Sequence, residues 1–243
     1  MEYIYGRKPV LEALKTETPL EKIIIQYGQK SPAINEIKSL AKKQKVRVSE
    51  LPPAKFNSIL KEKNTQGIIA LKSPQKDFSL DEIISSSKES KYPFLLLLDS
   101  IQDPHNLGAI LRSAECSGID GVITTIHNSA PITEVVEKTS AGALSHLKIV
   151  KVSNLNQTIK ILKDEGFWIV GSTLENAQNY TGVDYKMPVA LIMGNEEKGI
   201  RKLVADNCDF LVKIPMPGHL QSLNVSVAAG VLLFEIVRQR RDA

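Results

Sequence analysis

The chain has 243 residues, 42% of them apolar and 24% charged, and at roughly 100–200 residues per domain this makes one or two domains with cores of their own, neither disordered nor fibrous. Cys116 and Cys208 stand far apart with no C-x-x-C, which excludes a disulfide framework and a zinc ribbon and fits a reducing, cytoplasmic setting. Of the net charge of +4, residues 1–72 hold 14 Lys and Arg against 7 Asp and Glu, residues 73–90 hold 2 against 4, and residues 91–243 hold 15 against 16.

A basic first third suggests an anionic partner, with nucleic acid ahead of a membrane; a solvated lysine-rich surface is the other reading. No secretory signal is visible in the opening Met1–Lys8, and the longest apolar stretch, Val225 to Val237, is broken by Ser226 and Glu235 and falls short of the ~18–20 residues that span a bilayer. In chain order, Val10, Leu11 and Leu14 give a helical pattern ahead of the strand Lys22–Gln26. The helix Ile34–Lys43 leads to Val46–Val48, and a helical stretch around Phe56–Leu60 leads to the strand Gly67–Leu71. These elements describe a small α/β module over residues 1–72. Residues 73–90, with their serine runs and a proline, have the composition of a linker.

Over residues 91–243 the strand Phe94–Asp99 shows no polar alternation, as expected of a parallel strand covered on both faces. Comparable runs at Val122-Ile123, Ile149–Val152, Trp168–Val170, Val189–Met193 and Phe210–Ile214 predict a doubly wound parallel α/β domain. Such sheets bind ligands at the carboxyl ends of their strands, which directs attention to the loops after Asp99, Ser172, Met193 and Ile214. Gly194-x-x-x-x-Gly199 begins like a phosphate-binding loop, but Ile200 and Arg201 follow where Lys and Ser or Thr are required, so an NTPase is excluded. No G-x-G-x-x-G occurs. His105, His127, His146 and His219 lack ligand spacing, and no metal is assigned.

In the helix from Asn106 to Gly118, Asn106 is read as the N-cap, and Leu107, Ile110, Leu111 and Ala114 form the apolar stripe. Arg112 points nearly opposite, among Gly108, Ala109 and Cys116. Small residues around a lone arginine suggest the close approach of a ligand, a loop or another subunit; a plain surface arginine is the alternative. The last helix, Asn224 to Val237, is apolar nearly all round and must be buried on most sides, either within one chain or at a subunit interface.

Three loop-centred segments, Asp103-Pro-His-Asn-Leu-Gly-Ala-Ile-Leu-Arg-Ser-Ala114, Leu191-Ile-Met-Gly-Asn-Glu-Glu-Lys-Gly199 and Ile214-Pro-Met-Pro-Gly-His-Leu-Gln-Ser-Leu-Asn-Val-Ser226, resemble in order and spacing the three motifs of the SpoU/TrmH branch of the SPOUT RNA methyltransferases. The opening Tyr5-Gly-Arg-Lys-Pro-Val-Leu-Glu-Ala-Leu14 and the module after it resemble the L30e-like substrate-binding domain of bacterial large-subunit (23S) rRNA guanosine 2′-O-methyltransferases. The resemblance implies a catalytic domain with a trefoil-knotted parallel sheet, bent S-adenosyl-L-methionine held largely by backbone groups, and a homodimer with the active site at its interface. It places cofactor binding at Thr173, Gly194, Ile214, Met216, Ser222 and Leu223, the catalytic arginine at Arg112, and the rest of the polar site at Asn106, Glu196, Ser222 and Asn224. A guanidinium keeps its proton at neutral pH, so Arg112 is read as binding the adjacent phosphate or the developing alkoxide rather than as a base. The expected function is 2′-O-ribose methylation of RNA, a guanosine of large-subunit rRNA first; the rivals are a tRNA ribose methyltransferase and a non-catalytic RNA-binding ribosome-assembly factor.

Overall fold

Residues 3–16, 18–60, 64–72, 78–196 and 198–241 are described by the computed structural model, and the chain divides into two units, Met1–Lys76 and Asp77–Ala243. In the first, β1 (Tyr3–Tyr5), α1 (Arg7–Lys15), β2 (Leu20–Gln26), α2 (Pro32–Lys43), β3 (Arg47–Leu51), α3 (Pro53–Asn57) and β4 (Ile68–Lys72) form a four-stranded sheet in the order β1-β4-β2-β3. β2 and β3 are parallel; β4 is antiparallel to β1 and to β2. The unbroken Ile23-Ile24-Ile25 run fits this central strand. Ile23 and Ile25 pack with Val10, Leu14, Ile34 and Ile37 of the helices, while Ile24 faces the other side with Phe56 and Ile69. The helix expected around Phe56–Leu60 instead begins at Pro53 and ends at Asn57, because a proline at the first helical position is pre-set for the turn.

The second unit contains α4 (Leu80–Ser87), β5 (Phe94–Leu98), α5 (Pro104–Cys116), β6 (Gly121–Thr125), α6 (Glu134–Thr139), β7 (Ile149–Val152), α7 (Leu155–Asp164), β8 (Trp168–Ser172), β9 (Gln178–Asn179), β10 (Val189–Met193), α8 (Lys202–Ala205), β11 (Phe210–Lys213) and α9 (Val225–Arg241). Seven strands make one parallel sheet in the order β7-β6-β5-β10-β8-β11-β9. Every residue of β5 and β10 is buried. Leu96 and Leu98 enter the core built with α5 and α9, and Leu95 and Leu97 enter the core built with α4 and α7, which is why neither strand shows polar alternation.

One expectation needs correction here. The linker expected over 73–90 contains α4, whose start is a capping box: Ser79 Oγ accepts from Glu82 N at 3.1 Å and Ser79 N donates to Glu82 Oε2 at 2.8 Å. Ile83 and Ile84 are buried in the core, so the serine run is the last turn of a packed helix; residues 73–77 lie outside the described residues. The last helix is not covered all round. Ala229, Leu232, Leu233 and Ile236 are buried, but Val227 is 52% exposed and Phe234 47%, leaving an apolar stripe uncovered within this chain. Among the described residues no helix is long and apolar enough to cross a membrane.

Candidate active site

The parallel order places the carboxyl ends of β5, β10, β8 and β11 side by side, and the loops that leave them carry the residues expected at the site. α5 begins earlier than its sequence suggested. Asp103, not Asn106, is the N-cap, its Oδ1 accepting from His105 N at 2.9 Å, with Pro104 at the first helical position. Asn106 therefore sits inside the first turn, only 8% exposed, with its carboxamide free to reach across to two other loops. Its Nδ2 donates to Glu196 Oε2 at 3.0 Å. Asn224 Nδ2 donates to Asn106 Oδ1 and to Glu196 Oε1, both at 2.9 Å, using both of its N–H groups. Asn224 Oδ1 in turn accepts from Ser226 N and Oγ at the start of α9, at 2.9 and 2.6 Å. Three segments distant in sequence are thus tied through one exposed carboxylate.

A second tie lies beneath. Asp99, fully buried at the end of β5, accepts from Arg201 Nε at 2.7 Å and from Arg201 N at 2.9 Å. Between β10 and Arg201 the chain closes on itself, Asn195 and Gly199 exchanging backbone hydrogen bonds of 2.9 and 2.8 Å, while Asn195 Nδ2 donates to Ser100 O at 3.2 Å. Gly194 has no room for a side chain: a Cβ there would stand 2.2 Å from Gly199 C and from Ile200 N. Arg201→Ala would strand the Asp99 carboxylate with one fewer donor. We expect a loss of about 2–3 kcal/mol in urea unfolding, toward the low end for a buried pair because the Arg201 side chain is half exposed; a loss below about 0.5 kcal/mol would show that the tie contributes little.

Thr173 follows β8, its N–H donating to Val212 O of β11 at 3.0 Å, and Gly194 follows β10. Ile214 and Met216 follow β11; Ser222 and Leu223 precede α9. From Ile214 to Leu223 the chain makes no hydrogen bond among the described residues, while Ile214, Met216 and Leu223 are half-buried. Apolar side chains beside backbone donors and acceptors with no partner among the described residues suit a cofactor gripped by main-chain groups. Arg112 and Ser222 are not brought into the Asn106–Glu196–Asn224 cluster. Both are exposed, and neither side chain has a hydrogen bond or ion pair among the described residues. Part of the small-residue face of α5 is used inside the chain: a Cβ on Gly108 would lie 2.6 Å from Thr139 Cβ of α6.

Family models match both units. Residues 93–234 match the SpoU rRNA Methylase family, and residues 3–77 match the family of RNA 2'-O ribose methyltransferase substrate binding. The chain belongs to the SpoU methylase family. A Staphylococcus aureus (strain MSSA476) protein, provisionally named TrmH family tRNA/rRNA methyltransferase, is 42% identical over 240 residues, covering 98% of this chain and 96% of that one. A Staphylococcus epidermidis protein of the same provisional name is 41% identical over the same shares. The fold matches the SpoU methyltransferase AviRb of Streptomyces viridochromogenes in complex with AdoMet, at a TM-score of 0.71 and 23% identity over 99% of this chain and 91% of that one. The TrmH/SpoU tRNA modifying enzyme of A. aeolicus is 31% identical with a TM-score of 0.59, over 67% of this chain and 83% of that one.

In this SpoU/TrmH family RNA methyltransferase, a further tie holds α9 at the opposite end of the sheet, where β5 and β10 begin. Arg240, in the last turns of α9, donates to Tyr92 O and Met187 O at 2.8 Å and to Tyr185 O at 3.0 Å, with its guanidinium 4.9 Å from the centre of the Phe94 ring. Burial pulls its pKa down to about 10, so it remains a cation at neutral pH. Glu235 accepts both arms of Arg238 at 2.8 Å, which holds its carboxyl below the usual carboxylate range. Burial pushes the Cys208 thiol up to about 12, which keeps it protonated and unreactive. Sequence reasoning missed the Asp99–Arg201 pair and Arg240. The available signals were a carboxylate ending an all-apolar strand and an arginine standing where a phosphate loop would need other residues.

Proposed function

We propose that this SpoU protein transfers the methyl group of S-adenosyl-L-methionine to the 2′-oxygen of a ribose in RNA, a guanosine of large-subunit (23S) rRNA, acting as a cytoplasmic homodimer. The observation that carries the reading is the Asn106–Glu196–Asn224 cluster set beside the segment 214–223, whose backbone groups have no partners among the described residues. The trefoil knot belongs to the same reading, supported by a parallel strand order in which the segments that begin at Gly194 and Ile214 leave the same, carboxyl end of the sheet.

When bound, the cofactor supplies a methyl group already activated on a sulfonium. Thr173, Gly194, Ile214, Met216, Ser222 and Leu223 hold it, and the tasks left to the chain are alignment, proton removal and electrostatic support. Asn106 and Asn224 fix both oxygens of Glu196, so this carboxylate keeps one orientation toward the reacting ribose. Arg112 binds the phosphate next to that ribose and supports the charge that grows on the 2′-oxygen, while the phosphate takes the proton. An exposed Arg112 with no partner among the described residues is what such a role requires.

A second copy of the chain covers the exposed stripe of α9. Val227, half-buried Val231 and Phe234 recur at i, i+4 and i+7, and α9 packs on α5 where Gly230 approaches Ser113 Oγ, so the stripe lies beside the helix that bears Arg112. Phe234→Glu should give a folded monomer by light scattering that has lost most methyl transfer. A wild-type protein that is monomeric and active at micromolar concentration would contradict the dimer.

Methyl transfer to fragments of large-subunit rRNA and to tRNA transcripts, with the full chain and labelled cofactor, tests the substrate. The expected result is transfer to rRNA far above tRNA. The basic unit at residues 1–72 supports this order of preference, and a better reaction with tRNA would replace it.

A further inference from the structure

At one end of the first unit's sheet β1, β2 and β3 finish and β4 begins, which gathers the segments 5–9, 26–31, 51–58 and 64–67. They contain Arg7, Lys8, Lys30 and Lys55 and no Asp or Glu. Between β2 and α2, Gln29 N donates to Gln26 O at 3.3 Å, and Gly28 at the third position has φ +86°, as in a type II turn. Tyr27 stands at the apex, 72% exposed, its backbone N–H held by Leu51 O at 2.8 Å.

The turn is braced by a cation. Arg7 Nη2 donates to Gln29 Oε1 at 2.7 Å and Arg7 Nε to Gln66 O at 3.2 Å. Gln29 lies directly over Gly67, where a Cβ would fall 2.6 Å from Gln29 Cδ. Both partners of the guanidinium are neutral, so its charge is not cancelled, and its other N–H groups have no partner among the described residues. The result is an exposed aromatic residue on a braced turn, at the same end of the sheet as Arg7, Lys8 and Lys30.

We infer that this end of the sheet captures an unpaired strand of RNA, one base stacking on Tyr27 while Arg7, Lys8 and Lys30 bind its phosphates. Stacking needs a base whose face is free, which a duplex does not offer except at its ends. The inference rests on the RNA methyltransferase reading and adds to it the surface and the state of the RNA it grips.

The test measures fluorescence anisotropy of the full chain with a labelled oligoadenosine strand, alone and annealed to oligouridine. Tyr27→Ala is expected to weaken binding of the single strand by about 10-fold or more, the value of one stacked base, and Tyr27→Phe to bind within about twofold of wild type because the ring remains. Replacing Lys8 and Lys30 by Gln together should lower the slope of log affinity against log salt by about 1.4. Single-strand binding by Tyr27→Ala within about twofold of wild type, or a duplex bound as tightly as the strand, would overturn the inference. Methyl transfer by the wild type to rRNA is read separately. If transfer were absent while the Tyr27 effect stood, the enzyme reading would fail and the capture surface would remain.

Discussion

Arg112→Ala is expected to leave thermal unfolding and cofactor affinity unchanged while methyl transfer falls by about 100- to 1000-fold, the range seen when one preorganised donor to a developing oxyanion is removed. The fold should tolerate the change because the side chain is exposed on α5 and makes no hydrogen bond or ion pair among the described residues. The apolar residues that hold α5 in place, Leu107, Ile110, Leu111 and Ala114, are all on its buried side. A guanidinium with no partner among the described residues is what the proposed binding of a phosphate on the incoming RNA requires. Arg112→Lys should fail nearly as badly, since an ammonium cannot reproduce a planar fork that binds two oxygens at once. Activity of Arg112→Ala within a few-fold of wild type would remove the residue from the mechanism.

Gly194→Ala should have the other large effect, through geometry rather than charge. The added carbon would meet backbone atoms at 2.2 Å, and backbone cannot swing aside as the end of a side chain can. To make room, the Asn195–Gly199 bridge must open, which frees Asn195 from Ser100 and displaces Glu196 from Asn106 and Asn224. We expect isothermal titration to show no cofactor binding, with a stability loss of about 2–3 kcal/mol from the forced repacking. Gly182→Ala is the matched control, since nothing lies within 4 Å of a Cβ there, and it should behave as wild type. Cofactor affinity retained in Gly194→Ala would show that the loop accommodates the methyl group and does not depend on this close approach.

Much of the architecture was legible because burial leaves a pattern. Phe94–Leu98 and Val189–Met193 are apolar at every position since each feeds two cores. The residues of the polar cluster were legible only through the resemblance of their motifs, since nothing in the spacing of Asn106, Glu196 and Asn224 says that they touch. The start of α5 was misread because Asn106 and Asp103 are both good caps; Pro104 at the first helical position decided for Asp103, and the outcome turned Asn106 inward. α4 was hidden because serine-rich composition outweighed a capping box and two isoleucines. β1 and β9, of three and two residues, are too short to carry a period. The Asp99–Arg201 tie spans 102 residues and depends on loop closure after β10, so no local pattern announces it.

The central claim, 2′-O-methylation of a guanosine in large-subunit rRNA, is tested most directly by mass mapping of 2′-O-methyl groups in rRNA and tRNA from cells with and without the protein. The account predicts that one 2′-O-methylguanosine disappears from large-subunit rRNA when the protein is absent and returns with the wild type but not with Arg112→Ala. An rRNA map unchanged by removal of the protein, or a methyl group lost from tRNA instead, would contradict it.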